Sequence, residues 1–229
     1  MMTVTITPAG DDWANTVADT LSDLLPVCAG RRFCLATGST PAPAYHRLAS
    51  RSPDLSSITL ALLDEFGGLD SNDPGRCLAM LERDLLDRLR TEHRPRTEPI
   101  DPENPPEGNW PGAIRLAVLG IGMNGHIAMN EPGSAPDSPT RRVELAEATS
   151  IGALRYGARR APRWGITIGL GPLMASEELW VLATGGSKAA VVAAAINGPI
   201  TTSVPASLLR FHPRLRWFLD EDAAHRING

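Results

Sequence analysis

The sequence of 229 residues predicts an α/β fold, in one domain over residues 1–229, with a mostly parallel sheet covered by helices on both faces. Two observations predict it. Apolar runs of strand length alternate along the chain with segments whose apolar residues recur at helical spacing. The strand-like runs are apolar throughout, which is typical of strands buried on both faces. A hydrophobic content of 42% is sufficient for a sizeable core.

The first half of the chain begins with a predicted helix over residues 11–25, which Pro26 and Gly30 are expected to end. The segments that follow it are, in order, strand 31–38, helix 41–50, strand 58–63 and helix 77–89. Residues 94–112 are so rich in proline that they predict a surface connection without regular structure.

The second half repeats the alternation of strands and helices. In order, it contains strand 114–122, a polar arginine-rich stretch 141–163, strand 164–171, a short helical turn, strand 178–185, helix 187–197 and strand 215–220. Ser187 is expected to cap the last helix, and Asn197 with Gly198 is expected to end it.

Composition excludes several classes of protein. A net charge of −4 gives no electrostatic reason to expect binding of nucleic acid, which favours a basic face. No segment approaches the roughly 20 apolar residues of a membrane span, and the amino terminus lacks the pattern of a signal peptide, so a cytoplasmic protein is expected. Cys28, Cys34 and Cys77 lack metal-ligand spacing and are interpreted as reduced thiols, so neither a disulfide nor a zinc site is expected.

Unusual polar residues lie where the predicted strands end, at Thr37–Pro41, Asp64 with Glu65, Gly122–Glu131 and Gly185–Lys188. In open parallel sheets, ligands bind beyond the carboxyl ends of the strands. The sequence therefore predicts that these four strand ends meet at one crevice.

Two of these strand ends are suited to a phosphate. In "LATGSTP" the chain turns at Gly38, offers the hydroxyls of Ser39 and Thr40, and starts a helix whose free N–H groups attract anions. An ordinary capped helix would explain the same residues. Of the 22 basic residues only Lys188 is lysine, and a cation at a helix start opposes the helix dipole unless an anion lies between them. Chance placement of Lys188 is the alternative.

The remaining two strand ends carry acid–base groups. Asp64 ends an apolar strand, where partial desolvation would raise its pKa and make it a candidate base. Glu65 is expected instead to cap the following turn, or to face the substrate. In "VLGIGMNGHIAMNEPGS", the glycines let His126 face the crevice, where Glu131 could orient the imidazole and Asn124 and Asn130 could supply neutral hydrogen bonds. A purely structural histidine is the alternative.

The motifs "LATGSTP", "LLDEFGGL", "LGIGMNGHIAMNEPGS", "GITIGLG" and "TGGSKA" occur in this order over nearly the whole chain. With them the chain resembles the glucosamine/galactosamine-6-phosphate isomerase (deaminase) family, a branch of the superfamily that includes 6-phosphogluconolactonases. The resemblance implies a modified Rossmann-like three-layer sandwich. It also implies conversion of a hexosamine 6-phosphate to a ketose 6-phosphate and ammonia, without a metal or an organic cofactor.

The resemblance also implies roles for residues. Asp64 looks like the base that moves a proton between C2 and C1 of the opened sugar, and His126 with Glu131 like the groups that open the ring. Gly38–Thr40 and Lys188 look like the phosphate site. Three further residues are expected at the substrate: Glu65, Gly125 and Arg163. Arg163 belongs to the stretch 155–163, which resembles a mobile lid and in which the choice among the arginines is left open.

Departures from the family pattern leave alternatives open. Asn124 stands where many members have aspartate, which removes one influence that would keep His126 protonated. The stretches "DPGRC" and "ITTSVPASLLRFH" favour the galactosamine branch, and the short end of the chain gives no expectation of allostery or of a hexamer, although a homo-oligomer is left open. The rival functions are a 6-phosphogluconolactonase, which Asn130-Glu131-Pro132 disfavours, and a sugar-phosphate sensor without catalysis.

Overall fold

The computed structural model describes residues 1–25, 28–106, 108 and 110–227. In chain order the strands are β1 (Thr3–Thr7), β2 (Arg32–Leu35), β3 (Thr59–Leu62), β4 (Asp64–Phe66), β5 (Arg96–Glu98), β6 (Leu116–Gly120), β7 (Arg141–Glu144), β8 (Trp164–Thr167), β9 (Leu179–Ala183) and β10 (Leu215–Asp220). The α-helices are α1 (Asp11–Leu24), α2 (Ala42–Ser50), α3 (Cys77–Asp84), α4 (Glu147–Arg155), α5 (Leu170–Met174), α6 (Ala189–Asn197), α7 (Pro205–Leu208) and α8 (Glu221–Ala224).

Seven strands form the main sheet, in the order β1-β10-β9-β6-β2-β3-β5, and every pairing in it is parallel. The predicted parallel sheet is therefore confirmed. A second sheet of three strands, β4-β8-β7, is antiparallel. It extends from the end of β3, because β4 begins only two residues after β3 ends.

The strands of the main sheet divide their side chains between two cores, one on each face. In β2, Phe33 and Leu35 pack with the buried residues of α1, α2 and α3, whereas Cys34 packs into the core that contains α5, α6 and α8. Successive side chains of a strand point to opposite faces, so a strand that is covered on both sides must be apolar throughout. The result is the predicted three-layer sandwich of helices, sheet and helices.

The first helix shows why the apolar pattern predicts elements well. Trp13, Val17 and Leu21 are buried on one side of α1, and the Trp13 indole Nε1 donates a hydrogen bond of 3.2 Å to the carbonyl oxygen of Phe218 in β10. The predicted end of this helix at Pro26 lies outside the described residues. The helix expected over 77–89 is shorter, because α3 ends at Asp84 and a separate 3-10 turn follows.

Two predictions about strands are wrong. The connection 94–112 contains β5, an edge strand whose one partner within the described residues is β3. Prolines beside an edge strand do not interrupt a second set of strand hydrogen bonds. The strand expected over 164–171 is only β8, and it belongs to the antiparallel sheet. β1 is an additional edge strand whose sequence TVTIT alternates threonine with apolar residues and therefore escapes a search for continuous apolar runs.

Two further details differ from the prediction in the polar parts of the second half. The stretch 141–163 contains β7 and α4. Ser187 does not cap the predicted helix, because it lies inside a 3-10 turn, Gly186–Lys188, and Lys188 is the residue that precedes α6. The predicted end at Asn197 and Gly198 is confirmed.

The order of the strands fixes where a ligand can bind. From β2 the chain moves outward to β3 and β5, then returns to place β6 on the opposite side of β2. At such a switch point, the loops that follow the two central strands diverge and leave a crevice at their carboxyl ends. The loops after β2 and β6 contain two of the four predicted polar clusters.

Candidate active site

A cleft of about 610 Å³ opens at the carboxyl ends of the parallel strands. Residues from all four predicted strand ends line it: Ser39 and Thr40 after β2, Asp64 after β3, Asn124 and His126 after β6, and Lys188 after β9. The helix α4 closes one side of the cleft with residues that include Thr149 and Arg155. The structure thus brings together groups that lie far apart in the sequence.

Asp64 is the first residue of β4 and faces the cleft. Burial raises the pKa of its carboxyl to about 6, an effect that the charge of Glu65 reinforces and that a hydrogen bond from Cys77 and the proximity of His126 oppose. A carboxylate with a pKa near 6 is a stronger base than an ordinary aspartate and is still largely ionised at neutral pH. These properties are those of a group that accepts a proton and returns it.

Glu65 does not line the cleft, so its expected contact with the substrate is wrong. Consecutive residues of a strand point to opposite faces, and Glu65 therefore points away from the side that Asp64 occupies. Its buried carboxylate accepts hydrogen bonds from the backbone N–H groups of Phe66 (2.8 Å), Cys77 (2.9 Å) and Leu78 (3.2 Å), the last two in the first turn of α3. The capping role considered from the sequence is confirmed.

Glu131 lies at the centre of a hydrogen-bonded group. Its Oε2 atom accepts a hydrogen bond of 2.7 Å from the Asn124 amide and lies 3.5 Å from His126 Nδ1, and its Oε1 atom accepts one of 2.5 Å from the Thr149 hydroxyl. Although burial raises the pKa of the Glu131 carboxyl, hydrogen bonds from His126, Thr149 and Asn124 lower it to about 2. Glu131 is therefore an anion at every physiological pH.

The position of Glu131 determines how His126 can act. A proton on Nδ1 is attracted by the carboxylate, which leaves the other ring nitrogen, Nε2, for a ligand. Across the described ranges, Nε2 has no hydrogen-bond partner in the protein. His126 lines the cleft and its side chain is 21% exposed. The arrangement provides a ring nitrogen that can give or take a proton at the surface of the cleft.

Two glycines shape the loop that carries His126. At Gly122 a Cβ atom would lie only 2.2 Å from Cε1 of the imidazole, so the ring can pack there only against a glycine. Gly125 has a φ of +84°, and a Cβ there would lie 2.8 Å from Cγ1 of Val204. Gly125 does not line the cleft, and its expected contact with substrate is replaced by a structural contact with the segment before α7.

Asn130 also has a structural role, which differs from the expected one at the site. It is buried, its amide donates to the carbonyl oxygens of Ile127 (3.1 Å) and Ile168 (2.8 Å), and its Oδ1 accepts 2.8 Å from Arg141. These bonds fix the turn between His126 and Glu131, and they leave the amide no free donor for a ligand.

The proposed phosphate side of the cleft contains Ser39, Thr40 and Lys188. The Lys188 ammonium donates a hydrogen bond of 2.7 Å to the carbonyl oxygen of Ile121, and burial lowers its pKa. Gly38 has a φ of +99° and is buried beneath the ring of Tyr156, so it makes the turn rather than the wall of the cleft.

Arg155 lines this cleft, whereas Arg163, the arginine singled out from the sequence, lies outside it. Arg163 is exposed, and its backbone carbonyl accepts a hydrogen bond from Leu145 at the end of the strand pair. Arg155 lines the cleft on the same face of α4 as Thr149 and Gly152, six and three residues earlier. Arg155 is the first residue of the stretch 155–163 from which a phosphate ligand was expected, although it was not singled out there. Thr149 was not predicted, and the spacing that links it to Arg155 is informative only once residues 147–155 are known to be helical.

Among the residues that the structure describes, no group of three histidine, cysteine, aspartate or glutamate side chains could hold a metal ion. No helix in the same ranges is long and apolar enough to cross a membrane. Cys28, Cys34 and Cys77 are buried free thiols.

The parallel sheet, its switch point and a cleft that combines a buried carboxyl group, a histidine beside a carboxylate and a lysine define an α/β protein with a cleft suited to acid–base chemistry on an anionic ligand. The family model described as "Glucosamine-6-phosphate isomerases/6-phosphogluconolactonase" matches residues 9–217. The chain belongs to this family.

Individual relatives and structures agree with this membership. A glucosamine-6-phosphate deaminase of Leuconostoc citreum is 36% identical over 211 residues, which cover 85% of this chain and 87% of the relative. One of Streptomyces coelicolor is 33% identical, with 99% of this chain and 93% of the relative covered. The solved structure of a monomeric glucosamine-6-phosphate deaminase superimposes with a TM-score of 0.85 at 27% identity, over 98% of this chain and 100% of that one. A 6-phosphogluconolactonase of Trypanosoma brucei shares the fold, with a TM-score of 0.78 at 17% identity over 99% of each chain.

Proposed function

We propose that this protein is an amino-sugar-phosphate isomerase/deaminase, which converts glucosamine 6-phosphate or galactosamine 6-phosphate and water into a ketose 6-phosphate and ammonia. The observation that supports it most is the pairing, within one cleft, of a carboxylate base, Asp64, with a separate imidazole that Glu131 orients. An isomerase that acts on a closed sugar needs two such groups, one to open the ring and one to move a proton between carbons.

Ring opening is the proposed task of His126. The anomeric hydroxyl loses its proton, the C1–O5 bond breaks, and O5 gains a proton, which leaves an aldehyde at C1. A single imidazole nitrogen can accept the first proton and deliver the second. Glu131 keeps Nδ1 engaged and stabilises the imidazolium between the two transfers, because its carboxylate stays ionised.

Proton transfer between carbons is the proposed task of Asp64. It removes the proton from C2 of the open sugar while the aldehyde oxygen gains a proton, which gives an enolamine. It then returns its proton to C1 while the nitrogen loses one. The product is a ketose with an imine at C2, and addition of water followed by loss of ammonia yields the ketose 6-phosphate. The raised pKa of Asp64, about 6, suits a carboxyl group that must both accept and return a proton.

Phosphate recognition is proposed for the opposite wall of the cleft. Lys188 and Arg155 supply positive charge, and Ser39 and Thr40 supply donors beside the start of α2. We expect Lys188→Ala to raise KM for the phosphorylated substrate more than it lowers kcat, because the phosphate is bound equally in the ground state and the transition state. An unchanged KM would remove Lys188 from this role.

Two observations favour different epimers of the substrate. The relatives described above are named for the gluco epimer. The motifs "DPGRC" and "ITTSVPASLLRFH" favour the galacto epimer. Both sugars are therefore tested.

The cytoplasm is the proposed compartment, because the three thiols are free.

The first experiment offers the purified protein glucosamine 6-phosphate, galactosamine 6-phosphate and 6-phosphogluconolactone in parallel. Ammonia from either hexosamine supports the proposal and names the epimer. Lactone hydrolysis without ammonia would replace it with a lactonase, and silence on all three would favour a sensor. Asp64→Asn should abolish turnover while substrate still binds, and Asp70→Asn, an exposed residue of the following turn, is the matched control.

A further inference from the structure

Thr149 lies in the first turns of α4, and its hydroxyl reaches two groups of the proposed ring-opening pair. Its Oγ1 atom donates to Glu131 Oε1 at 2.5 Å and lies 3.4 Å from His126 Nδ1. We propose that Thr149 is a positioning residue, which fixes the Glu131 carboxylate and through it the orientation and the proton of the His126 imidazole. The inference deepens the proposed function and rests on it for its kinetic consequences.

The hydrogen bonds at Glu131 show why one hydroxyl matters. Asn124 holds the Oε2 atom at 2.7 Å, and Thr149 holds the Oε1 atom, so each carboxylate oxygen has its own donor and the plane of the group is fixed. A hydroxyl has one proton, and here that proton points to Glu131. The lone pairs of Oγ1 are then available to Nδ1–H, so Thr149 and Glu131 together favour the tautomer with the proton on Nδ1.

Removing the hydroxyl would leave Oε1 without a donor from the described part of the chain. The carboxylate would then be free to rotate about its remaining bond to Asn124, and the 3.5 Å contact between Glu131 Oε2 and His126 Nδ1 would no longer be held. The fold should tolerate this change, because Thr149 is only partly buried and α4 buries just Ala153 among its nine residues. The expected effect is thus on the chemistry rather than on the stability of the protein.

The test compares Thr149→Val, which keeps the shape but removes the hydroxyl, with Thr149→Ser, which keeps the hydroxyl. The matched control is Ser150→Ala, the next residue of α4. A lost charge-assisted hydrogen bond should lower kcat of Thr149→Val by about tenfold to a hundredfold while KM stays within about twofold. Thr149→Ser and Ser150→Ala should both keep kcat within about threefold of the wild type.

Two kinetic results would overturn the inference. One is a Thr149→Val enzyme with the kcat of the wild type. The other is a Thr149→Ser enzyme as slow as Thr149→Val, because the methyl group and not the hydroxyl would then be what matters. If kcat of Thr149→Val is unchanged while KM rises and kcat/KM falls by the same factor, Thr149 acts in substrate binding and not in positioning.

A measurement without substrate separates failure of this inference from failure of the proposed function. Nitrogen-15 spectra of the histidine side chains report which ring nitrogen carries the proton, and His126→Asn identifies the His126 signals. We expect the wild type and Ser150→Ala to show His126 protonated at Nδ1, and Thr149→Val to show a shift toward a mixture of tautomers. Identical His126 signals in wild type and Thr149→Val would overturn the inference even if the enzyme is a deaminase. A shift in a protein that releases no ammonia would uphold the positioning role and refute only the proposed activity.

Discussion

Substitution of Gly122 by alanine should separate catalysis from folding. The new Cβ would lie 2.2 Å from Cε1 and 2.4 Å from both nitrogens of the His126 ring, whereas ordinary contact begins near 3.4 Å. The imidazole must therefore move by about 1 Å or more, and a misplacement of that size can reduce turnover about a hundredfold. A hundredfold loss of kcat corresponds to about 2.7 kcal/mol of transition-state stabilisation.

The fold should survive this change because the displaced atoms are the end of a partly exposed side chain. Overpacking a rigid core costs about 1–3 kcal/mol, and we expect the lower end of that range where a ring can rotate away. The assay is ammonia release, with urea unfolding measured on the same preparations. Gly120→Ala is the control, because a Cβ there meets nothing within 4 Å, and its kcat should stay within about threefold of the wild type. A folded Gly122→Ala enzyme with wild-type kcat would refute the assigned role of His126.

Three further predictions concern the base, the arginine and the cap. The value of kcat/KM should fall below about pH 6, because a protonated Asp64 cannot accept a proton. Cys77→Ala should shift this fall to higher pH, because it removes a hydrogen bond that lowers the pKa of Asp64. If the fall does not shift, it reports the protonation of another group. Arg155→Ala should raise KM about tenfold and Arg163→Ala less than twofold, so equal values would contradict the placement of the phosphate. Glu65→Gln should lower the free energy of unfolding by about 1–3 kcal/mol in a urea titration, whereas an unchanged value would show that the cap contributes little.

Sequence reasoning located Asp64, His126 and Lys188 because each follows an apolar strand, and burial on both faces makes such strands easy to identify. It could not choose Arg155 among the arginines of 155–163, because α4 buries only Ala153 and has no apolar face from which a helical period can be read. It placed β8 in the wrong sheet because an apolar run shows that a strand is buried but does not show which strand it pairs with. The edge strands β1 and β5 were missed because a strand at the edge of a sheet is partly exposed and therefore lacks a continuous apolar run.

The division of labour between Asp64 and Glu65 also restricts how this chain can change in length. The register of β4 with β8, where Asp64 pairs with Thr167 and Glu65 with Ile166, decides which of the two carboxylates faces the cleft. A slip by one residue reverses the direction of every side chain in a strand. A single-residue insertion or deletion between β3 and β4 that shifts this register would therefore bury the base against α3 and turn the cap toward the cleft, even though both acidic residues would still be present in the sequence.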